Sequence, residues 1–262
     1  MKCDYHVHSS YSDDCNTSME NQIKRACSLG LDEICFTDHV DYGVKFDDID
    51  YPKYFAEIDR LREKYAGKIA VRSGLEIGVQ THTIGQYESL YDQWSGELDF
   101  LLLSVHQVND LCFWSQEYQS GKTQGQYNRG YYEELLRGIQ SYNDYSVLAH
   151  LDLIVRYDLA GDYPFSKVKD IVAEILTTAI NHGKGIELNT SSWRYGLNDT
   201  QPCREILRMY HDFGGEIITL GSDSHSPGYI HSHMDEAKEI LRGIGFKRFC
   251  TFEGMRPVFH EL

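Results

Sequence analysis

The sequence predicts an α/β protein folded as a TIM-like barrel. Short apolar runs alternate along the chain with stretches in which apolar residues recur at helical spacing. The runs are nearly continuous in apolar residues, which is typical of parallel strands that helices cover on both faces. Seven or eight such units in 262 residues match the usual size of a barrel. A doubly wound open sheet is the alternative, but the glycine fingerprint with which such sheets bind dinucleotides is missing after the first run.

Eight apolar runs are the candidate strands. The fourth, for example, carries Leu101, Leu102 and Leu103 in succession. Because a helical pattern separates most consecutive runs, we expect the strands to be parallel to one another. In chain order the runs cover residues 3–8, 33–39, 68–78, 98–108, 146–154, 185–190, 216–225 and 248–253.

The stretches between the runs are the candidate helices. The first is predicted over residues 17–30, because Thr17 and Glu20 have the spacing of a capping box and Gly30 is a typical helix stop. Residues 109–126 are polar and irregular, and are predicted as a long loop. The remaining helices are predicted over residues 54–65, 127–142, 166–182, 203–213 and 234–244.

The composition is that of an ordinary globular protein with an acidic balance. Hydrophobic residues make up 41% and charged residues 25%, which excludes a disordered chain. No repeat, low-complexity tract or Pro/Ser-rich linker divides the chain, so residues 1–262 are expected to form one domain. The net charge of −15 argues against a nucleic-acid partner, because binding to phosphates depends on Lys and Arg. No apolar run approaches the roughly 20 residues that cross a membrane.

The cysteines and the amino terminus favour a cytoplasmic protein. Seven cysteines, an odd number without regular spacing, indicate reduced thiols rather than a disulfide framework. The first ten residues, MKCDYHVHSS, lack the apolar core of a signal peptide.

Histidine and carboxylate residues are concentrated where the predicted strands end. The chain holds 12 histidines, and half of them fall in short motifs at these positions: HVH, FTDH, LLLSVH, VLAHLD and GSDSH. A glutamate ends the third run, in GLEIG. Together these motifs supply His6, His8, Asp38, His39, Glu76, His106, His150, Asp223 and His225.

These side chains are predicted to form a metal site. The carboxyl ends of parallel barrel strands meet at one rim, where active sites lie. Residues two apart on a strand point to the same side, so His6 and His8 can face one ion, as can Asp223 and His225. Imidazole and carboxylate are ligands that Zn²⁺, Fe²⁺ and Mn²⁺ accept, and the motifs contain no Cys, which argues against a structural thiolate zinc site. Without metal, burying so many polar groups unpaired would cost on the order of several kcal/mol each.

The ordered motif set resembles the PHP family, named for polymerase and histidinol phosphatase. The matching segments are DYHVHSSYSDD, FTDH, the glutamate of the third run, SVH, AHLD and GSDSH, which extend from Asp4 to His225. The chain is similar in particular to the stand-alone histidinol-phosphate phosphatases, in length, in the opening DYHVH and in the segments AHLDLIVRYD and ELNTS. Polymerase-attached members are similar only in the motifs.

The resemblance implies a distorted (β/α)7 barrel that holds three divalent metal ions, of Zn, Fe or Mn. The family has a His or an Asp at the position of Asp14, where this chain offers the adjacent pair Asp13 and Asp14; Asp14 is the preferred ligand, and Asp13 is the alternative. Carried over residue by residue, the first ion is held by His6, His8, Glu76 and Asp223, the second by Glu76 as a bridge with His106 and His150, and the third by Asp14, His39 and His225.

The implied activity is hydrolysis of L-histidinol phosphate to L-histidinol and phosphate in histidine biosynthesis. A PHP phosphoesterase that acts on a nucleotide or another small phosphate ester is the alternative. A metal-stabilised binding domain without turnover is a third hypothesis. The ligand set argues against the third, because degenerate members of the family lose ligands and none is missing here.

Two carboxylates next to the predicted ligands are candidate catalytic acids. The leaving alkoxide needs a proton or an ion, which the third metal, Asp38 or Asp152 could supply. The alternative role of these two carboxylates is to orient the neighbouring His39 and His150.

Two arginines and two tyrosine-rich segments are candidates for substrate binding. Arg156, six residues after His150, is predicted to clamp the phosphate with its planar guanidinium and is therefore also a candidate catalytic residue. A solvated charge at a helix start is the alternative reading of Arg156. Arg194 is the second candidate. The acidic segments 41–51 and 126–134 offer carboxylates and aromatic rings for the imidazole and ammonium groups of histidinol.

Overall fold

The structure is a computed structural model that describes residues 1–43 and 49–262. At its centre lies a seven-stranded parallel sheet. Its strands are hydrogen-bonded to one another in the order in which they follow along the chain. These strands are β1 (Cys3–Val7), β2 (Glu33–Val40), β3 (Ala70–Gly78), β4 (Phe100–Ser104), β7 (Val147–Leu148), β8 (Gly185–Asn189) and β9 (Ile218–Gly221). Two antiparallel pairs stand apart from the sheet, β5 (Gln107–Val108) with β6 (Leu111–Cys112) and β10 (Arg248–Glu253) with β11 (Arg256–Glu261).

The two edges of this sheet meet next to the carboxyl end of β1. Val7 forms a parallel bridge with Ser224, just beyond β9. The His8 amide donates to the Ser224 carbonyl over 2.9 Å, and the Ser224 amide donates to the His6 carbonyl over 3.1 Å. The sheet therefore closes into a barrel, and the predicted TIM-like fold with seven strands is confirmed. The closure also brings the motif after β9 next to the HVH motif of β1.

Helices connect the strands and bury one face each against them. In α1, for example, Met19, Ile23 and Ala26 are buried, at helical spacing. The cap of α1 differs from the prediction, because Ser18 rather than Thr17 accepts a hydrogen bond from the Asn21 amide. Gly30 ends the helix in a left-handed conformation, as predicted. The helices are α1 (Met19–Leu29), α2 (Tyr51–Lys64), α3 (Ile84–Trp94), α4 (Gln124–Ser141), α5 (Lys169–Asn181), α6 (Ser191–Arg194), α7 (Arg204–Asp212) and α8 (Met234–Ile244).

Two predicted strands differ from the structure, and one helix is missing from the prediction. The eighth run pairs with β11 in an antiparallel hairpin, whose two-residue turn, Gly254 and Met255, has positive φ at both positions. The fifth run is a strand only over residues 147–148, and Leu153–Tyr157 forms a 3₁₀ helix. The helix α3 was not predicted, since only Tyr87 and Leu90 of its side chains are fully buried and its apolar pattern is correspondingly weak.

The buried apolar side chains form one cluster that extends from Cys3 in β1 to Phe252 in β10. Within the described ranges, no helix has both the length and the apolar character needed to cross a membrane.

Candidate metal centre

A cavity of about 290 Å³ opens at the carboxyl ends of the barrel strands, and most of the predicted ligands line it. Those that reach its wall are Asp14, His39, Glu76, His106, His150, Asp223 and His225. His6 and His8 are fully buried beneath them. The strand-end motifs thus converge as the sequence predicts, although some are more than 200 residues apart along the chain.

Glu76 lies at the centre of the cluster, and its two oxygens face different histidines. Oε2 lies 3.1 Å from Nε2 of His6, 3.1 Å from Nδ1 of His39 and 3.4 Å from Nε2 of His8. Oε1 lies 2.9 Å from Nε2 of His150 and 3.2 Å from Nε2 of His106. This carboxylate therefore has the geometry of a bridge between two ligand sets.

Asp223 completes the set around His6 and His8. Its Oδ1 lies 3.5 Å from Nε2 of His8 and 3.8 Å from Nε2 of His6. The ligand atoms of these three residues all lie within 4.8 Å of one another, close enough to share one ion. Asp223 has a backbone φ of 55°, a left-handed conformation that Asp adopts more readily than most residues.

A third group lies at the outer side of the cavity. Oδ2 of Asp14 lies 3.0 Å from Nε2 of His225 and 3.7 Å from Nε2 of His39. Asp13 also lines the cavity. The contacts to His39 and His225 belong to Asp14, which supports the preference for Asp14 as the ligand.

Four buried histidine nitrogens in this cluster form no well-aligned hydrogen bond with the described residues, although three of them lie within 3.5 Å of a carboxylate oxygen. They are Nε2 of His8, Nδ1 of His39, Nδ1 of His150 and Nε2 of His225. Two of them, in His8 and His225, are the nitrogens that face the predicted ions. Imidazole nitrogens that lie close to carboxylate oxygens without forming well-aligned hydrogen bonds are the expected donor set of a metal site, so the residues present fit divalent ions.

The electrostatics of the cluster also fit metal binding. Burial alone disfavours a charged carboxylate, but the imidazoles of His6 and His106 outweigh this effect and hold the pKa of Glu76 well below its usual range. For Asp223, burial is likewise outweighed by His6, His8 and Arg156, and its pKa is lowered. Burial and the neighbouring His225 lower the pKa of His8. Neighbouring carboxylates outweigh burial at His6 and His106 and raise the pKa of both imidazoles, so an ion bound by these rings would displace their protons.

Arg156 lies in the wall of the cavity and is nearly buried, with 6% of its side chain exposed. Its Nη2, which carries two hydrogens, lies 2.7 Å from Oγ of Ser191, 2.9 Å from Oε1 of Gln201 and 3.2 Å from Oδ2 of Asp223, so the three acceptors share its two hydrogens. The guanidinium carbon lies 4.1 Å from the centroid of the Tyr195 ring. The alternative of a solvated charge at a helix start does not apply, because the side chain is buried beside a predicted ligand.

Arg194 occupies a different position from Arg156. Its guanidinium donates to the backbone carbonyls of Ser222 over 3.3 Å and of Asp223 over 2.9 Å. Arg194 is not among the described residues that line the cavity. These hydrogen bonds hold the turn that carries Asp223. Its predicted role in substrate binding remains a prediction.

The two candidate acids lie outside the cavity lining. Asp38 accepts hydrogen bonds from the Ser9 amide over 2.6 Å and from Oγ of Ser12 over 2.8 Å, and Oγ of Ser12 lies 3.1 Å from Nδ1 of His8. Asp38 thus supports the His8 side of the cluster through Ser12. Asp152 accepts from the Cys203 amide over 2.8 Å, and burial raises the pKa of its carboxyl to about 7.

Some residues of the site were not singled out in the sequence. Asp41 and Glu187 contact the outward nitrogens of His106 and His6, over 2.8 Å and 2.7 Å. Trp114, Tyr157 and Tyr195 form the aromatic part of the cavity wall. Of the two tyrosine-rich segments, 41–51 contributes Asp41 to the cavity, and its residues 44–48 lie outside the described part of the chain. Segment 126–134 lies within α4 and is not in the described cavity lining.

Comparison with known proteins gives consistent matches. The PHP domain family matches residues 4–191. The histidinol-phosphatase of Lactococcus lactis subsp. lactis is 31% identical over 97% of this chain and 96% of that protein. A protein of Thermotoga maritima named "Probable histidinol-phosphatase" is 28% identical over 99% of both chains. The crystal structure of the Lactococcus lactis histidinol phosphate phosphatase, complexed with Zn, L-histidinol and phosphate, superposes with a TM-score of 0.89 at 30% identity and 98% coverage of each chain.

Proposed function

Because this chain belongs to the PHP family, we propose that it is a metal-dependent phosphatase that hydrolyses L-histidinol phosphate to L-histidinol and phosphate. The observation that carries the proposal is the position of Glu76 among five histidines, three near one of its oxygens and two near the other, in a cavity that also contains Arg156. This combination of a metal-competent cluster and a buried guanidinium suits a phosphate ester. The relative that binds histidinol and phosphate matches nearly the whole chain. The chain would then act in histidine biosynthesis as a single domain.

The ligand assignment follows the three groups of the cluster. His6, His8, Glu76 and Asp223 would hold one ion, Glu76 with His106 and His150 a second, and Asp14, His39 and His225 a third. Zn, Fe and Mn all accept this donor set. The zinc in the Lactococcus lactis structure favours Zn as one of the native ions.

The proposed ions reverse the local charge of an acidic protein. A phosphomonoester brings two negative charges to a chain whose net charge is −15. Three divalent ions carry +6 and the carboxylates of Asp14, Glu76 and Asp223 carry −3, which leaves about +3 in a site where charges are poorly screened. When bound, such ions supply an acidified water and stabilise charge on phosphoryl oxygens.

The protein's own residues bind and orient the ester. Arg156, held by Ser191 and Gln201, presents its guanidinium at the cavity wall and would hold a phosphoryl oxygen. The aromatic wall of Trp114, Tyr157 and Tyr195 would enclose the organic part of the substrate. Asp13, which lines the same cavity and is assigned neither to an ion nor to a histidine, would suit the ammonium or imidazole of the leaving group.

The decisive experiment is a substrate panel with the metal-loaded protein. We expect kcat/KM to be highest for L-histidinol phosphate among phosphomonoesters that include nucleotides and small sugar phosphates. Equal or better turnover of a nucleotide would contradict the substrate assignment and favour the alternative phosphoesterase. If no ester released phosphate after reconstitution with Mn²⁺, Zn²⁺ or Fe²⁺, a binding domain without turnover would be favoured. Elemental analysis of the same sample identifies the ions.

A further inference from the structure

Glu187 is a fully buried carboxylate on β8, a strand that supplies none of the predicted ligands. Its Oε1 lies 2.7 Å from Nδ1 of His6. Its Oε2 accepts from the backbone amide of His150 over 2.9 Å and from Nδ2 of Asn189 over 3.1 Å. One side chain therefore contacts a ligand of the first predicted ion and the backbone of a ligand of the second.

The contact to His6 decides which of its ring nitrogens carries the proton. A carboxylate can only accept, so Nδ1 of His6 donates to Glu187. In the neutral ring the free lone pair is then on Nε2, the nitrogen that faces Glu76 and Asp223. This is the tautomer that can bind an ion at the centre of the cluster.

The neighbouring strand leaves room for this contact. Gly221, at the end of β9, lies against the pair formed by His6 and Glu187. A Cβ atom at position 221 would lie 2.1 Å from Oε1 of Glu187 and 2.4 Å from Cβ of His6, distances that real Cβ contacts do not show. A side chain at this position would therefore displace one member of the pair.

The same arrangement recurs on the other side of the barrel. Oδ1 of Asp41 lies 2.8 Å from Nδ1 of His106, whose Nε2 faces Glu76. A Cβ atom at Gly78 would lie 1.6 Å from Oδ1 of Asp41 and 3.0 Å from Nδ1 of His106. Each of these two histidines thus contacts a buried carboxylate through Nδ1, and in each case a neighbouring glycine leaves room for the contact.

We propose that Glu187 is a positioning residue of the metal centre, which fixes the tautomer and orientation of His6 and holds the backbone of His150. The inference rests on the metal dependence proposed above but not on the identity of the substrate. Because Glu187 acts through His6, its removal should weaken metal binding, and activity should fall as a consequence.

The test compares Glu187→Gln with Glu187→Asp and with wild type. Gln fills the same volume, but its amide NH2 must face either Nδ1 of His6 or the amide of His150. If the NH2 group faces His6, it donates to Nδ1 and the ring proton moves to Nε2, the nitrogen that would bind the ion. If it faces the backbone amide of His150, two N–H donors point at each other. Asp keeps two acceptor oxygens on a side chain that is one methylene shorter. Metal affinity is measured by chelator competition with Zn²⁺ or Mn²⁺, with no substrate present, and circular dichroism checks the fold.

We expect the loss of affinity for Glu187→Gln to be about 10–100-fold for at least one equivalent of metal. Glu187→Asp should lie between Gln and wild type, whereas a purely packing role would make the smaller Asp the worse variant. Glu33→Gln is the matched control, because Glu33 is also buried on a barrel strand but pairs with Arg72 at the opposite end of the barrel. This control should bind metal as wild type does.

The outcomes separate this inference from the proposed function. Wild-type affinity in Glu187→Gln, or weaker binding by Asp than by Gln, would overturn the positioning role alone. If Glu187→Gln does not fold, Glu187→Asp decides, and an affinity equal to that of wild type would overturn the role. A wild-type protein that binds no divalent ion would overturn both the proposed metal dependence and this inference.

Discussion

The guanidinium of Arg156 donates a hydrogen bond to the carboxylate of Asp223 across 3.2 Å. Both side chains are nearly buried. A residue predicted to bind the phosphate is therefore tied to a residue predicted to bind a metal ion. Phosphate binding by Arg156 and metal binding by Asp223 therefore depend on the same ion pair, so removal of the arginine is expected to weaken both.

We predict that Arg156→Ala raises KM for a phosphomonoester by about 10–100-fold, since hydrogen bonds to charged groups contribute roughly 1.5–3 kcal/mol. If Arg156 bound the phosphate equally strongly in the ground state and in the transition state, its removal would leave kcat unchanged. Because Asp223 loses its partner, we expect kcat to fall as well. Steady-state kinetics measure both values, with Arg129→Ala, at a half-exposed position of α4, as the control. An unchanged KM would show that Arg156 does not bind the phosphate.

The candidate acids give a second prediction. Asp38 and Asp152 accept hydrogen bonds from Ser9, Ser12 and Cys203, and neither belongs to the described lining of the cavity. We expect Asp38→Asn and Asp152→Asn to lower Tm while the shape of the kcat–pH profile stays that of wild type. A general acid would show the opposite result, with loss of the basic limb of the profile and little change in Tm.

For the ligands themselves, we predict that Asp223→Asn and His8→Ala lower kcat by at least about 10³-fold, the scale on which a key electrostatic group acts. Asn is a better probe than Ala at position 223, because φ there is 55° and Asn adopts this conformation at low cost. Circular dichroism should show wild-type secondary structure in both variants. Loss of the fold would identify these residues as structural instead.

Removal of metal should lower stability. A ligand present at 100 times its Kd stabilises the folded state by about 2.7 kcal/mol, and 1 kcal/mol corresponds to roughly 2–4 °C in a chain of this size. We therefore expect excess EDTA to lower Tm by about 5–10 °C, and added Zn²⁺ or Mn²⁺ to restore it. His82→Ala, at an exposed histidine, serves as the control and should respond as wild type does. A Tm that is insensitive to EDTA would contradict a buried multi-ion site.

The sequence predicts the barrel because its strands are buried on both faces and are therefore continuously apolar. The prediction fails where contacts between distant parts of the chain decide which structure a segment adopts. The run 248–253 is as apolar as a barrel strand, and only the turn at Gly254 and Met255 shows that it folds back on β11. Residues 153–157 are apolar because they are buried near the cavity, although they form a 3₁₀ helix.

The metal cluster is predictable for a similar reason. Ligands at strand ends converge in any parallel barrel, so the motifs identify them without coordinates. The supporting residues give a weaker signal. Glu187 is one acid within the apolar strand Gly185–Asn189, a pattern that flags a buried carboxylate without naming its partner. Asp41 follows β2 directly and resembles an ordinary loop acid, and its contact with His106 depends on a turn that the sequence does not specify.

Glu76 gives the last prediction, because one of its oxygens faces Nε2 of His6 and the other faces Nε2 of His150. Gln is nearly isosteric but neutral, so the local positive charge rises by one and repulsion between the two bridged ions is less relieved. We predict that Glu76→Gln binds fewer metal equivalents than wild type and has kcat reduced by at least about 10³-fold. Asp14→Asn should be milder, since Asp14 lies at the outer side of the cluster near His225. Mass spectrometry of the native protein and a phosphate-release assay measure both effects in both variants. Full metal content with near-normal turnover in Glu76→Gln would mean that this carboxylate orients the histidines instead of bridging two ions.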